Sequence, residues 1–130
     1  MAKQFLRIDL DTNFHLYGIS CHLKDYRFAW TVNKYLGVEF KKTKPYTTID
    51  GFDFSKYEHL MYLETIFLFS NKSKNGFLVK KKKEVDYWMM FHHSFEEKYI
   101  NHFVRIIQTL QPVLAVFEEN NNQIKEYFVS

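Results

Sequence analysis

Six histidines, a single cysteine and three knots of lysine are the residues here whose types and spacing could do chemistry. His92 and His93 form the densest imidazole pair. Neighbours on a strand point to opposite faces, however, and no His-x-His or His-Glu-x-x-His spacing occurs, so no metal site is expected. His15, His22, His59 and His102 are scattered along the chain. Cys21 beside His22 does not make a nucleophile and its base, for the same geometric reason. One cysteine also excludes an intramolecular disulfide and any cysteine-rich zinc site. Glu64 interrupts an apolar run with no second acid in the pattern, which reads as a structural carboxylate rather than a general acid. Phosphate-cradling glycine loops and a Gly-x-Ser-x-Gly elbow are absent from a chain with four glycines, so no cofactor is expected. A site assembled from distant groups such as Asp25, Asn33 and Asp86 would leave no local signature. The expected class is non-enzymatic.

The lysines say more. Residues 1–40 hold five basic and four acidic side chains, residues 41–83 ten and four, and residues 84–130 three and seven, so the overall charge of +3 hides a basic middle and an acidic last third. The basic excess falls in Lys41, Lys42 and Lys44, in Lys72 and Lys74, and in Lys80, Lys81, Lys82 and Lys83, each between apolar runs and therefore at strand ends or in loops. Tyr46, Phe77 and Tyr87 stand next to them. Lysines that neutralise phosphates beside rings that stack on unpaired bases are the composition of a nucleic-acid surface. The competing reading is a set of solvated turns that keep apolar hairpins from pairing edge to edge. Three clusters in one 43-residue window exceed what one such turn requires.

The elements that must position these groups follow from periodicity. Leu6, Ile8 and Leu10 alternate with charged residues as a half-buried strand, and residues 11–13 turn into a second strand from Phe14 to Cys21. Asp25 is a good N-cap for a helix that Gly37 closes. Tyr26, Ala29, Trp30, Asn33 and Leu36 form its stripe, which predicts Trp30 and Tyr26 as core anchors, with a base-stacking platform as the alternative. Val38 and Phe40 begin a short strand that Pro45 stops, and the segment from Tyr46 to His59 reads as a connecting loop. Leu60 to Ser70 reads as one strand apolar on both faces, Asn75-Gly76 as a hairpin turn, and Val85 to His92 as another doubly apolar strand. A capping box, Ser94 with Glu97, opens a second helix with the stripe Ile100, Phe103, Val104, Ile107 and Leu110, which Pro112 ends. Val113 to Phe117 is a short buried-type strand, and the residues after it are open between a packed helix and a tethered tail.

Several of these stretches, GISCHLKDYRFAWTVNKYLG from Gly18 to Gly37, FSKYEHL at Phe54 to Leu60, FSNKS at Phe69 to Ser73 and EVDY at Glu84 to Tyr87, together resemble the IPExxxVDY family of small bacterial proteins. Val85, Asp86 and Tyr87 keep the second half of that signature, whereas Val79, Lys80 and Lys81 stand where its Ile-Pro-Glu belongs. The resemblance implies one small cytoplasmic domain and supplies no established activity.

The expectation is thus a single α+β domain over residues 1–130, with a mainly antiparallel sheet, two α-helices packed on one face, and the other face solvated or open to a partner. MAKQFLRIDL carries no leader-like apolar run and no stretch is long enough to span a membrane, so a cytoplasmic, membrane-free protein is expected. Structured RNA or the ribosome is the expected partner of the nine lysines. A homodimer or other protein partner on the apolar sheet face is the alternative.

Overall fold

The sequence orders its strands by hydrophobic alternation. In the computed structural model, which describes residues 12–129, they form one antiparallel six-stranded sheet. Its members are β1 (Phe14–Cys21), β2 (Lys41–Lys42), β5 (Lys56–Met61), β6 (Glu64–Ser70), β9 (Tyr87–His92) and β10 (Val113–Glu119), in the order β10-β1-β9-β6-β5-β2. Two-residue ladders pair β3 (Tyr46–Thr47) with β4 (Asp53–Phe54) and β7 (Lys72–Ser73) with β8 (Gly76–Phe77). The helices are α1 (Asp25–Leu36), α2 (Glu97–Thr109) and the single turn α3 (Asn122–Lys125). The strand expected at Leu6 to Leu10 lies outside the described residues.

Both long helices pack on one face of the sheet, as expected. Tyr17, Ile19, Ile66, Leu68, Met89 and Phe91 meet Phe28 and Val32 of α1 and Ile100, Phe103 and Ile107 of α2. Each such apolar side chain withdrawn from water contributes roughly 1.5–3 kcal/mol before entropy is counted. Gly37 closes α1 at φ 65°, the left-handed conformation expected of it.

The other face is not left open as expected. Leu16, Phe69 and Trp88 are covered by Phe54, Leu78, Val79, Val85, Ile124 and Phe128, so the chain's own loops and α3 roof a second core. The residues after β10 are therefore a packed helix and not a loose tail. The roof stops short at one end, where Phe14, Phe67 and Met90 stay half-buried beside a cavity of about 430 Å³.

Other local readings are corrected. The run from Leu60 to Ser70 is a hairpin, β5 turning into β6 through Tyr62 and Leu63 with Met61 opposite Glu64. Tyr62 takes φ 57°, a conformation that glycine or asparagine would normally supply, so no turn signal marks it. The segment read as a loop from Tyr46 to His59 contains β3, β4 and β5. The capping box does not form: α2 starts at Glu97, and Ser94 instead meets His92 Nδ1 at 2.7 Å in the turn leaving β9. Asp25 is the first residue of α1 and Lys24 its N-cap, a shift of one, with Asp25 accepting a bond from the Tyr26 amide. β10 is an edge strand with Leu114 and Ala115 exposed rather than a buried one.

Candidate nucleic-acid interface

Strand register decides where the lysine clusters go. Ser70 of β6 lies beside Tyr87 of β9, which lies beside Ile19 of β1, and the Ser70 amide donates to Ser55 just ahead of β5. That row marks one end of the sheet. Thr43 donates to the Lys56 carbonyl, which brings Lys44 to the same end, with Lys42 facing Tyr57 further in. Lys72 and Lys74 follow directly from β6, and Lys80–Lys82 form a 3-10 turn whose chain, through Lys83, leads into β9. Lys44, Lys72 and Lys74 thus share one sheet end, while the third cluster lies beside it over the second core, where Lys82 reaches Glu119 of the edge strand β10.

The turn carrying the third cluster is held rigidly. Asn71 is fully buried, and its side-chain amide donates to the Lys82 and Val85 carbonyls at 2.9 and 2.8 Å. Its oxygen accepts from the Val79 amide and the Trp88 indole, both at 2.9 Å. All four hydrogen-bonding positions of the amide are filled, which fixes the lysine turn over the second core.

Not all nine lysines are free to meet a phosphate. Lys72 reaches Asp86 at 2.5 Å, Lys82 reaches the buried Glu119 at 3.5 Å, and Lys41 lies 3.8 Å from an exposed Glu39. The last pair is weak because both partners are solvated. Among the described residues Lys42, Lys44, Lys74, Lys80, Lys81 and Lys83 make no ion pair, and all six are exposed. Lys72 and Lys83 stand 6.0 and 5.8 Å from the centre of the Phe77 ring.

The rings expected beside the lysines are mostly structural. Tyr87 is buried, stacks on Phe28 with centroids 4.7 Å apart, and donates to the Leu23 carbonyl. Burial, helped by the Asp25 carboxylate, pushes its hydroxyl well above the usual tyrosine range. Tyr46 packs edge-on against Phe69 and donates to the Tyr127 carbonyl at 2.6 Å. Val85, Asp86 and Tyr87 act together as a clasp: Val85 enters the second core, Asp86 accepts from the Cys21 amide at 2.7 Å, and Tyr87 pins the turn into α1.

The exposed rings are elsewhere. Trp30 and Tyr26, expected in the core, are 63% and 60% exposed on α1. The helix is turned about 90° from the expected stripe, because Phe28 and Val32 take the sheet-facing arc. Their line continues into Lys34, whose ammonium stands 5.2 Å from the Trp30 ring centre. Lys24 lines a cavity of about 290 Å³ with Lys72 and Asp86, which brings the start of α1 to the lysine end. Sequence reasoning missed Lys24, Arg27 and Lys34 as members of this surface. The signal was a helix carrying more aromatic residues than one buried arc can take.

Other candidates carry no site. Among the described residues no three metal-ligating side chains converge. The rings of His92 and His93 lie 4.2 Å apart rather than on opposite faces, because β9 ends at His92, and Glu64 reaches His92 Nδ1 at 3.6 Å. Burial pushes the Cys21 thiol up, which keeps it unreactive. No described helix is long and apolar enough to cross a membrane. No family model matches the chain, and no curated protein matches it.

Proposed function

We propose that this is a non-enzymatic RNA- or ribonucleoprotein-binding protein of the bacterial cytoplasm, associated with the ribosome through its basic sheet end. The observation that carries the reading is that Lys42, Lys44, Lys74, Lys80, Lys81 and Lys83, at that end and on the turn beside it, are all exposed without acidic partners among the described residues. Unpaired exposed ammoniums release counterions from a phosphate backbone, whereas paired ones do not. Lys41, Lys72 and Lys82 serve the fold or sit at the margin. Membership of the IPExxxVDY family is part of the same proposal. It rests on the sequence resemblance alone; FSNKS and EVDY meet in the fold through Asn71, Lys72, Val85 and Asp86.

Sedimentation of tagged protein from native lysate, with and without RNase and at two salt concentrations, tests it. Co-migration with ribosomal particles that RNase or high salt abolishes is expected. A protein that stays at the top of the gradient in every condition would sink the proposal.

A second reading, a homodimer or adaptor, has its own observation in the β5–β6 tip, where Leu60, Tyr62 and Leu63 are 68%, 87% and 92% exposed beside half-buried Phe67 and Met90. Self-association that is indifferent to salt and lost in Leu63→Asp would favour it over RNA.

A further inference from the structure

Helix α1 spends its sheet-facing arc on Phe28, Ala29 and Val32, yet presents two large aromatic side chains to solvent. Tyr26, Trp30 and Lys34 follow one another at i, i+4 spacing, one above the next along the helix, and Arg27 lies beside them. Two large exposed rings stacked one turn apart make a contiguous aromatic patch, the kind of surface that marks an interaction site. Three features indicate what it meets. The charges around the rings are Lys24, Arg27 and Lys34 against one acid, Asp25, whose carboxylate already accepts from the Tyr26 amide. Lys34 Nζ stands between two rings, 5.2 Å from Trp30 and 5.7 Å from Tyr35, where a phosphate joining stacked bases would meet a cation. The helix also starts at the lysine end of the sheet, where Lys24 and Lys72 line one cavity.

We infer that the outer face of α1 is a stacking platform for unpaired bases, with Tyr26 and Trp30 taking base faces and Arg27 and Lys34 the intervening phosphates. This rests on the RNA reading and narrows it: the target presents a single-stranded segment or loop, because paired bases offer no open face to an aromatic ridge. Duplex RNA meets the lysine end alone. The ridge spans about two helical turns, enough for two or three nucleotides.

Titration of the intact protein with a single-stranded uridine oligonucleotide, and with a duplex RNA of the same length, reads the proposal through tryptophan fluorescence. Trp30 is exposed and Trp88 fully buried, so quenching reports on the ridge. The single strand is expected to quench emission, and Trp30→Ala, whose affinity is read from the anisotropy of a dye-labelled oligonucleotide because the reporting indole is gone, to bind it about tenfold more weakly with melting temperature unchanged, while duplex affinity stays put. Binding of both RNAs with no effect of Trp30→Ala would overturn the platform and leave the lysine reading intact. Equal weakening toward both RNAs would also overturn it, since the ridge would then act only as a general perturbation. Failure of both RNAs to bind would remove both readings, and binding of the duplex alone would overturn the platform only. Two further results assign the ridge elsewhere and reject a base platform: self-association abolished by Trp30→Ala, or quenching by vesicles of anionic lipid without quenching by the oligonucleotide.

Discussion

The side-chain oxygen of Asn71 accepts the indole N–H of Trp88 at 2.9 Å inside the second core, and through that bond a polar hub holds the lysine turn against the sheet. Removing the hub leaves the Val79 and Trp88 donors and the Lys82 and Val85 carbonyls without their partner. Asn71→Ala should therefore destabilise by about 3 kcal/mol or more, several buried groups each costing about 1–3 kcal/mol. Trp88→Phe keeps three of the four bonds. Chemical denaturation of the two variants should rank Asn71→Ala as at least as damaging, even though the two changes remove equal numbers of heavy atoms.

Replacing lysines in the third cluster should separate two roles. Lys80, Lys81 and Lys83 are exposed and unpaired by acids among the described residues, so their triple change to Gln should leave the melting temperature within a degree or two while weakening RNA binding. Lys82→Gln should do the reverse. It strands Glu119, which is 7% exposed and has one carboxylate oxygen with no hydrogen-bond partner. The cost is on the order of 1 kcal/mol, reduced from that of a fully buried pair because Lys82 is itself partly solvated.

Gly18 has no room for a side chain. A methyl group there would come within 2.5 Å of the Phe117 ring and 3.1 Å of Trp88. Gly18→Ala should cost about 1–3 kcal/mol by overpacking. Phe117 sits on an edge strand and can be shortened, so Gly18→Ala with Phe117→Leu should lose less than the two single changes added together, a coupling that a double-mutant cycle would read.

High pH should unfold the domain through its tyrosines. Burial, with the Asp25 carboxylate adding to it, pushes the Tyr57 hydroxyl up to about 12, and burial pushes Tyr17, Tyr46, Tyr87 and Tyr99 upward as well. A raised folded-state value favours the protonated ring in the native state. That contribution is whole below the ordinary tyrosine value of 10.0 and is lost as pH rises through about 12. Stability measured by denaturant should fall across that window, and more gently in Tyr57→Phe. An equally steep fall in Tyr57→Phe would show that this hydroxyl takes no part.

What the sequence discloses and hides has a physical pattern. Helix α2 was legible because Ile100, Phe103, Ile107 and Leu110 make one narrow stripe with no rival. Helix α1 was legible in extent, since Gly37 ends it, but not in rotation, because Phe28 and Val32 compete with Tyr26 and Trp30 for the same sheet. The β5–β6 turn left no trace because Tyr62 takes a glycine conformation without being glycine. Lysine clusters could be read as clusters, but the approach of Lys44 and Lys72 to one sheet end needed the strand order that links Ser70, Tyr87 and Ile19 in one row. The roof over the second core was hidden because Ile124 and Phe128 lie far in sequence from the Trp88 that they cover.

That roof also sets a timetable. During synthesis β1, β6 and β9 emerge first with Leu16, Phe69 and Trp88 on a common apolar surface, and Ile124 and Phe128 leave the ribosome well afterwards. β10, the strand that completes β1, is equally late. A chain that ends before residue 113 therefore leaves Leu16, Phe69 and Trp88 without the cover of Ile124 and Phe128, an apolar surface of the kind that chaperones and proteases take up. Delays in translating the last third, or truncations within it, should reduce yield more than the loss of one short helix would suggest.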